Sequence, residues 1–474
     1  MQTGDDYFDS KEFREILSTY EESVKSSHPS FMDVDDLVDI ADYYNYIGQN
    51  KRAKNVIDYA LDIYPGSTLP LAYKAREALA KEDITMAKDL AASIIDKNDP
   101  DYIYLKAEIL IAQSSVEEAD NYLRQYLEET SYEEREDVVL DVVNLYLDYG
   151  LNDKAYEWTM RSMDTNHTEY KELLGRTLFG MGRFSESADV FNELIDRNPY
   201  SKKYWNALAN AQFMNDNFND SITSSEYAIA IDPDDPEGIL SKANGLYRLE
   251  NYDEALKYYE RYNQIVKADD FGLLSQGICL VNMSRYEDAL NILKEAEKKA
   301  HKDSVYLPQI YQEMAFAYSN LKEVEKAMEC IDNTRKLDCD HLDMTVLKGH
   351  ICLENNRKED AEKYFQKAIA DSGQSPDIIL RIIVSMYDNN YLDASYLMFR
   401  KFFKMVSKDY NDGYSYMALC CWDMKKTKEF LFYLRHAVSR NPKEAKNVLC
   451  HIFPKDMEVK DYYDYMLNQL NSNT

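Results

Sequence analysis

One pattern recurs at an interval of 34 residues between Leu174 and Leu293, and it constrains the fold more than any other feature of the chain. Three registers repeat four times each, and a fixed period of this size is typical of stacked supersecondary units. The three registers are Gly175, Ala209, Ala243 and Gly277, then Phe184, Phe218, Tyr252 and Tyr286, then Ser187, Ser221, Ala255 and Ala289. The sequence therefore predicts a repeat architecture whose core grows lengthwise.

Another copy of the pattern, near the N-terminus, indicates a known type of repeat. Leu37, Ile40, Ala41 and Tyr44 fill the slots of the motif W-x2-L-G-x2-Y, and Ala53 follows in its second half. The period and these slots resemble the tetratricopeptide repeat, a helix-turn-helix unit. Small residues would lie where the two helices of a unit cross, because they let the backbones approach. The resemblance implies an all-α fold, an α-solenoid right-handed superhelix of about twelve helical hairpins with terminal capping helices.

The repeats are expected to cover nearly the whole chain. Residues 1–30 carry Phe13, Ile16, Leu17, Tyr20 and Val24 at helical spacing, which predicts an N-terminal capping helix. Residues 31–303 then hold about eight repeats, residues 304–442 about four, and residues 443–474 form C-terminal capping helices. An insertion of about four residues, at 301–307, separates the two sets.

The register is uneven at two places. Among the early repeats, the intervals between equivalent alanines vary by about two residues, and we expect these slips in the turns. Tyr391, Ala394 and Met398 form one of the weaker copies. The last copy has Phe430 where the other copies have a small residue.

Composition excludes some partners. The formal net charge of −30 argues against nucleic acid and anionic membranes as main partners, since basic patches bind both. Most acidic residues alternate with lysine and fit solvated helix faces, although an acidic groove that steers a basic partner is the alternative. No apolar run approaches the roughly 18 residues of a membrane span, and Met1–Ser10 does not resemble a signal peptide. We expect a cytoplasmic protein, or a periplasmic or exported one if a targeting segment was trimmed.

The chain shows no catalytic, cofactor or metal motif. A phosphate-binding loop and a G-x-S-x-G elbow are both missing, and Gly180-Met181-Gly182 fits an inter-helix turn better than a nucleotide site. Cys339 and His341 lie near His350 and Cys352 in the sequence. We expect Cys352 in the core and His350 in the groove, which opposes a shared metal ion. The sequence therefore predicts a non-enzymatic protein without a cofactor.

The family resemblance also locates a binding surface. In tetratricopeptide repeats the first helix of each unit lines a concave groove along which peptides commonly lie, and amides there can pair with an extended backbone. The predicted groove positions are Arg176, Phe179, Asn206, Asn210, Phe213, Asn244, Tyr247, Arg248, Asn282, Gln312 and Asn320. The alternative is that these are ordinary polar surface residues.

One subfamily grips a chaperone's terminal carboxylate, and the chain departs from its pattern. Asn210 matches one position of that clamp, but Asn206 stands where the subfamily has lysine and Ser241 where it has asparagine. A chaperone C-terminus is therefore not the expected ligand.

These observations favour a scaffold or adaptor that binds a protein segment in the groove of the central repeats, with a basic segment as one alternative. The alternative is a regulator whose solenoid changes pitch when a peptide or small molecule binds. No sequence feature chooses a particular partner or an oligomeric state.

Overall fold

The computed structural model describes residues 7–8, 10–26, 32–267, 269–454 and 457–472, and every regular element in these ranges is a helix. Helix α1 spans Lys11–Ser26, and twelve helix pairs follow it. The pairs are α2 Val34–Tyr46 with α3 Asn50–Ile63, α4 Thr68–Ala80 with α5 Ile84–Ser93, α6 Pro100–Ala112 with α7 Val116–Glu129, α8 Arg135–Asp148 with α9 Asn152–Thr159, α10 Thr168–Gly180 with α11 Phe184–Arg197, α12 Lys202–Met214 with α13 Phe218–Ile231, α14 Pro236–Arg248 with α15 Tyr252–Ile265, α16 Asp270–Asn282 with α17 Tyr286–Lys299, α18 Leu307–Asn320 with α19 Val324–Asn333, α20 His341–Glu354 with α21 Lys358–Asp371, α22 Pro376–Asp388 with α23 Leu392–Met405, and α24 Tyr414–Asp423 with α25 Thr427–Arg440. Helices α26 Pro442–Leu449 and α27 Tyr462–Ser472 close the described chain.

The chain divides into two compact units, residues 1–217 and 218–474. The first contains α1 to α12 and the second α13 to α27, so α12 and α13 lie on either side of the division. Inside each unit, helices that are neighbours in the chain pack against one another. The prediction of an all-α solenoid of about twelve hairpins is confirmed.

The spacing of the crossing positions is constant. In all twelve pairs a buried residue of the first helix and a buried residue of the second lie twelve positions apart, as Ala41 and Ala53 do. Where helices α10 and α11 cross, the hydroxyl of Ser187 donates to the carbonyl of Gly175 at 2.8 Å. Small side chains at these positions allow the close approach that the sequence predicted.

One left-handed residue stands in the turn of each pair. Its φ lies between 57° and 74°, and only three of the twelve are glycine. The N–H of the next residue donates to the carbonyl five positions earlier, as Arg183 does to Leu178 at 2.9 Å. This Schellman geometry satisfies carbonyls at the end of the first helix. Gly182 is the left-handed residue of its turn, so Gly180-Met181-Gly182 serves the turn, as predicted.

The left-handed residue precedes the second crossing position by five residues in every pair, and this corrects one assignment. Asn390 has a φ of 64°, which places Ser395 at the crossing, and Ser395 is fully buried. Ala394 is only half-buried, so its assignment was wrong by one position. The slips in register also lie elsewhere than expected, because the connections between pairs vary in length and the turns within them do not.

The ends of the repeat array carry additional helices. Helix α1 exists as predicted and buries Phe13 and Tyr20, but Val24 is 59% exposed and does not belong to its apolar face. At the other end the rings of Phe453 and Tyr462 stack 3.8 Å apart, which attaches α27. Within the described residues, each helix is too short or too polar to cross a bilayer.

Candidate peptide-binding groove

A groove in the second unit runs across the first helices of four successive pairs. Its volume is about 430 Å³, and helices α18, α20, α22 and α24 line it. The lining residues are Gln312, Phe316, Asp343, Val346, Leu347, His350, Leu380, Arg381, Val384, Ser385, Asp388 and Tyr416. We call it the α18–α24 groove.

The floor of this groove is apolar and follows the repeat. Phe316, His350 and Val384 each come directly after the first crossing residue of their pair, so they occupy equivalent positions on α18, α20 and α22. The rings of Phe316 and His350 meet edge to face with centroids 6.1 Å apart. A floor of this kind can accept apolar side chains of a bound segment.

Polar groups stand beside the floor. His350 Nδ1 lies 3.1 Å from Ser385 Oγ and 3.4 Å from Asn389 Nδ2, which orients the imidazole. Asp343 and Arg381 form an ion pair across α20 and α22. Burial raises the pKa of Asp388, and His350 partly opposes that rise.

A second carboxyl group lies next to the groove on α18. Burial raises the pKa of Glu313 to about 7, and Glu313 makes no hydrogen bond or ion pair with any described residue. Its charge also acts on Tyr247, whose pKa is raised mainly by burial. Glu313 therefore extends the polar character of this face toward α14.

The predicted residues of the second unit fall into two groups. Gln312 lines the α18–α24 groove, where its Nε2 lies 3.6 Å from Met344 Sδ. Asn282 and Asn320 instead donate to carbonyls of their own helices, those of Ile278 at 2.9 Å and Phe316 at 3.0 Å.

Three further predicted residues lie on α14. Asn244 accepts a hydrogen bond from the hydroxyl of Tyr259 at 2.7 Å. Tyr247 packs on Tyr252 across the turn of its own pair, with centroids 5.5 Å apart, and the Arg248 guanidinium lies 4.8 Å from the centre of the Phe218 ring. Their side chains thus have structural contacts within the second unit, and a role in binding stays a prediction.

The predicted residues of the first unit differ in exposure. Asn206 is only 2% exposed, and its role in binding stays a prediction. Asn210 and Phe213 are half-buried. Since the unit division falls within the central repeats, a groove along all four of them stays a prediction.

The side chains of Arg176 and Phe179 on α10 both contact neighbouring side chains. Arg176 Nη1 donates to Asn144 Oδ1 at 2.8 Å and its Nη2 lies 3.8 Å from Asp148. Phe179 packs edge to face on Phe184 at 5.3 Å. Arg176 is exposed, so these contacts leave it accessible.

The first helices of the first three pairs carry Asp42, Arg76 and Glu108 at the positions equivalent to Phe316, His350 and Val384. Arg76 Nε donates to both carboxylate oxygens of Glu108, at 3.0 and 3.2 Å, and its Nη1 lies 3.6 Å from Asp101. Burial, followed by the charge of Asp39, raises the pKa of Asp42 to about 6. Arg76 therefore links α4 to α6 through its ion pairs with Glu108 and Asp101.

Sequence reasoning placed His350 in a groove but did not identify Phe316 and Val384 as its neighbours on the floor. The register that selected Asn210 and Asn244 reaches Phe316, His350 and Val384 once it is carried past the insertion at 301–307. The predicted groove positions were carried past the insertion only to Gln312 and Asn320, so Phe316 and Val384 were not among them.

The cysteines do not assemble with the histidines. Cys339 Sγ lies 3.7 Å from His341 Nδ1, while Cys352 is buried and His350 faces the groove, as the sequence predicted for the last two. In the described part of the chain, no three His, Cys, Asp or Glu residues are grouped so as to hold a metal ion.

Comparisons with known proteins add to this picture. Two segments, residues 173–236 and 343–370, match models of the tetratricopeptide repeat family. No curated protein matches the chain.

Three solved structures illustrate the likeness to other proteins. MamA from Desulfovibrio magneticus RS-1 is 16% identical over 37% of this chain and 97% of that one, with a TM-score of 0.33. A tetratricopeptide repeat protein from Parabacteroides merdae ATCC 43184 is 13% identical over 60% and 97%, with a TM-score of 0.38. YrrB, described as having an unusual peptide-binding site, is 17% identical over 43% and 99%, with a TM-score of 0.34.

The two family matches span α10 to α13 and α20 to α21, and each contains the crossing residues and the left-handed turn residue that recur in the other pairs. Since the same features extend through all twelve helix pairs, the chain is a tetratricopeptide repeat protein.

Proposed function

We propose that this protein is a non-enzymatic scaffold or adaptor that binds an extended protein segment in the α18–α24 groove. The observation that carries the proposal is the alignment of equivalent side chains from successive pairs along one groove of about 430 Å³. Such a groove offers an apolar strip to a segment that lies across several helices.

The chemistry of the groove suggests how a segment is held. Apolar side chains would cover Phe316 and Val384, because their burial removes apolar surface from water. Gln312 and Ser385 can pair with backbone groups of the segment. Asp388 and Glu313 favour a Lys or Arg of the partner, since a cation nearby stabilises the charged form of a buried carboxyl group.

A pair of charge insertions tests this proposal. Leu347→Asp with Val384→Asp places two carboxylates on the groove floor, and both wild-type side chains are half-buried. Ile231→Asp with Val305→Asp is the matched control, because these apolar residues are exposed and lie outside the groove. Proteins retained by immobilised wild-type protein should be lost with the groove variant and kept with the control.

The retained protein then provides the quantitative test. A synthetic segment of it should bind wild-type protein in calorimetry, and the groove variant should weaken its binding at least tenfold. If both variants retain the same proteins with equal affinity, the segment does not bind in the α18–α24 groove. Circular dichroism would establish that each variant is folded.

A further inference from the structure

The stretch from α23 into α26 is basic, whereas the chain as a whole is acidic. Residues 392–446 contain eleven Lys or Arg and six Asp or Glu, whereas the whole chain contains 55 and 85. Apart from Tyr416, no residue of this stretch lines the α18–α24 groove. A surface of opposite sign on an acidic protein can select a different partner from the one in the groove.

Exposed cations and apolar side chains share one surface on α23 and α25. On α23, exposed positions recur at a spacing of three to four residues, so they lie on one side of the helix. The residues that define this surface are Leu397, Arg400, Lys401 and Lys404 of α23 and Lys428, Phe432 and Arg435 of α25. We call it the α23–α25 surface.

Contacts between the two helices hold this surface together. The hydroxyl of Tyr396 donates to Glu429 Oε2 at 2.6 Å, and the rings of Phe403 and Tyr433 stack with centroids 5.8 Å apart. Phe432 packs edge to face on His436 at 4.7 Å but remains 56% exposed, as does Leu397. Two apolar side chains therefore project into water among the cations.

The cations of the surface have no carboxylate partners. Arg400, Lys401, Lys404, Lys428 and Arg435 form no ion pair with any described residue. The guanidinium groups of Arg400 and Arg435 lie over aromatic rings. Arg400 is 5.9 Å from the ring centroid of Tyr396, and Arg435 is 5.8 Å from that of Tyr463.

Several of the six carboxylates in residues 392–446 accept hydrogen bonds from uncharged groups. Glu429 accepts from Tyr396, Glu444 accepts from the N–H of Gly413 at 2.8 Å, and Asp412 accepts from Asn441 at 2.7 Å. None of these three carboxylates forms an ion pair with a cation of the α23–α25 surface.

We propose that the α23–α25 surface docks an acidic segment of a protein partner, one rich in Asp and Glu with an apolar side chain among them. Its carboxylates pair with Arg400, Lys401, Lys404 and Arg435, and its apolar side chain packs on Leu397 and Phe432. A short segment fits better than a membrane or nucleic acid, because an extended anionic surface would also meet the acidic remainder of the chain. At physiological salt, interactions between exposed charges are screened beyond about 8 Å. A short acidic segment on this surface is therefore little repelled by the acidic residues elsewhere on the chain.

A labelled peptide tests the proposal on the full chain. The probe is a ten-residue peptide of Asp and Glu with one central Phe, and its counterpart has Asn and Gln in place of the acids. Fluorescence anisotropy should show that the acidic peptide binds wild-type protein, that the amide peptide does not, and that affinity falls as salt rises.

Two charge-matched variants locate the site. Arg400→Gln with Lys401→Gln and Lys404→Gln should weaken binding at least tenfold, while Lys358→Gln with Lys363→Gln and Lys367→Gln on α21 should weaken it less than twofold. Phe432→Ala should weaken binding severalfold without changing the salt dependence. Equal losses in both triple variants, or no binding by wild-type protein, would overturn the proposal.

Two further measurements distinguish other occupants. Binding to phosphatidylserine vesicles that the α23 variant loses, without binding of the peptide, would assign the surface to membranes and reject the proposal. Self-association of wild-type protein that the α23 variant abolishes would instead identify a second copy of this chain as the occupant. Neither result would bear on the α18–α24 groove, because the two surfaces share no residue.

Discussion

The indole N–H of Trp158 donates to Oδ1 of Asp120 at 2.7 Å, and both side chains are almost completely buried. The hydroxyl of Tyr146 donates to the same oxygen at 3.3 Å, while Arg124 and Lys154 lie 2.7 and 3.5 Å from Oδ2. One carboxylate thus joins helices α7, α8 and α9. Burial alone would raise the pKa of Asp120, but the hydrogen bonds from Trp158 and Arg124 and the charge of Lys154 hold it below its ordinary value.

We expect Asp120→Asn to destabilise the first unit by about 2 kcal/mol, because the buried network loses its negative charge and one of its two acceptor oxygens. Urea unfolding followed by circular dichroism measures the change. Glu118→Gln is the control, since Glu118 is exposed on the same helix and its change should stay within about 0.5 kcal/mol.

The pH dependence of this difference has a defined sign. A lowered pKa in the folded state stabilises the protein above the unfolded pKa, and that contribution disappears as the pH falls through the folded pKa. The gap between wild type and Asp120→Asn should therefore be full at pH 7 and shrink below about pH 4. If the difference in unfolding free energy stays constant down to about pH 2, the charge of Asp120 does not stabilise the folded protein.

Glu313 has the opposite dependence. Its pKa of about 7 exceeds that of an unfolded glutamate, so wild-type stability should fall as the pH rises from about 4.5 to 7. Glu313→Gln should remove this slope and be about 2 kcal/mol more stable than wild type at pH 8. Thermal unfolding at several pH values measures the slope, and Glu329→Gln, an exposed change on α19, should leave it intact.

Gly349 leaves room for the ring of Phe365. A Cβ at position 349 would lie 2.2 Å from Phe365 Cε1, so Gly349→Ala should cost about 1–3 kcal/mol by overpacking. Phe365→Leu in the same chain should recover part of that loss, and a double-mutant cycle measures the coupling. Additive effects of the two changes would show that the ring does not set the size of residue 349.

The left-handed turn residues offer a stabilising change. Glu250 has a φ of 60°, where a side chain costs roughly 1 kcal/mol, so Glu250→Gly should stabilise the second unit by up to about that amount. Glu260→Gly, in the middle of α15, should instead destabilise it by about 1 kcal/mol. Differential scanning calorimetry compares the two, and a loss of stability in both would argue against a left-handed residue 250.

The fold was predictable because a crossing position is fixed by steric fit. Ala53, Ala87 and Ala119 identify helix pairs even where the rest of the motif is lost, since a larger residue would separate the backbones. The last pair shows the limit of this rule, because Phe430 is fully buried at the equivalent position.

The groove was less predictable than the fold. Gln312 lines the α18–α24 groove, but Asn282 and Asn320 bond to their own helices and Asn206 is buried. Position on a helix selects a face, but it does not show whether an amide is satisfied locally. That depends on neighbouring helices, which the repeat register alone does not specify.

The constant spacing within pairs and the variable spacing between them divide the chain into interchangeable parts. A cut in a connection such as residues 300–306 leaves both neighbouring turns intact, whereas a cut inside a turn would separate a left-handed residue from the crossing that it positions. Whole pairs can therefore be removed, duplicated or exchanged at these joints, and the surface presented to partners can be lengthened or recombined one pair at a time.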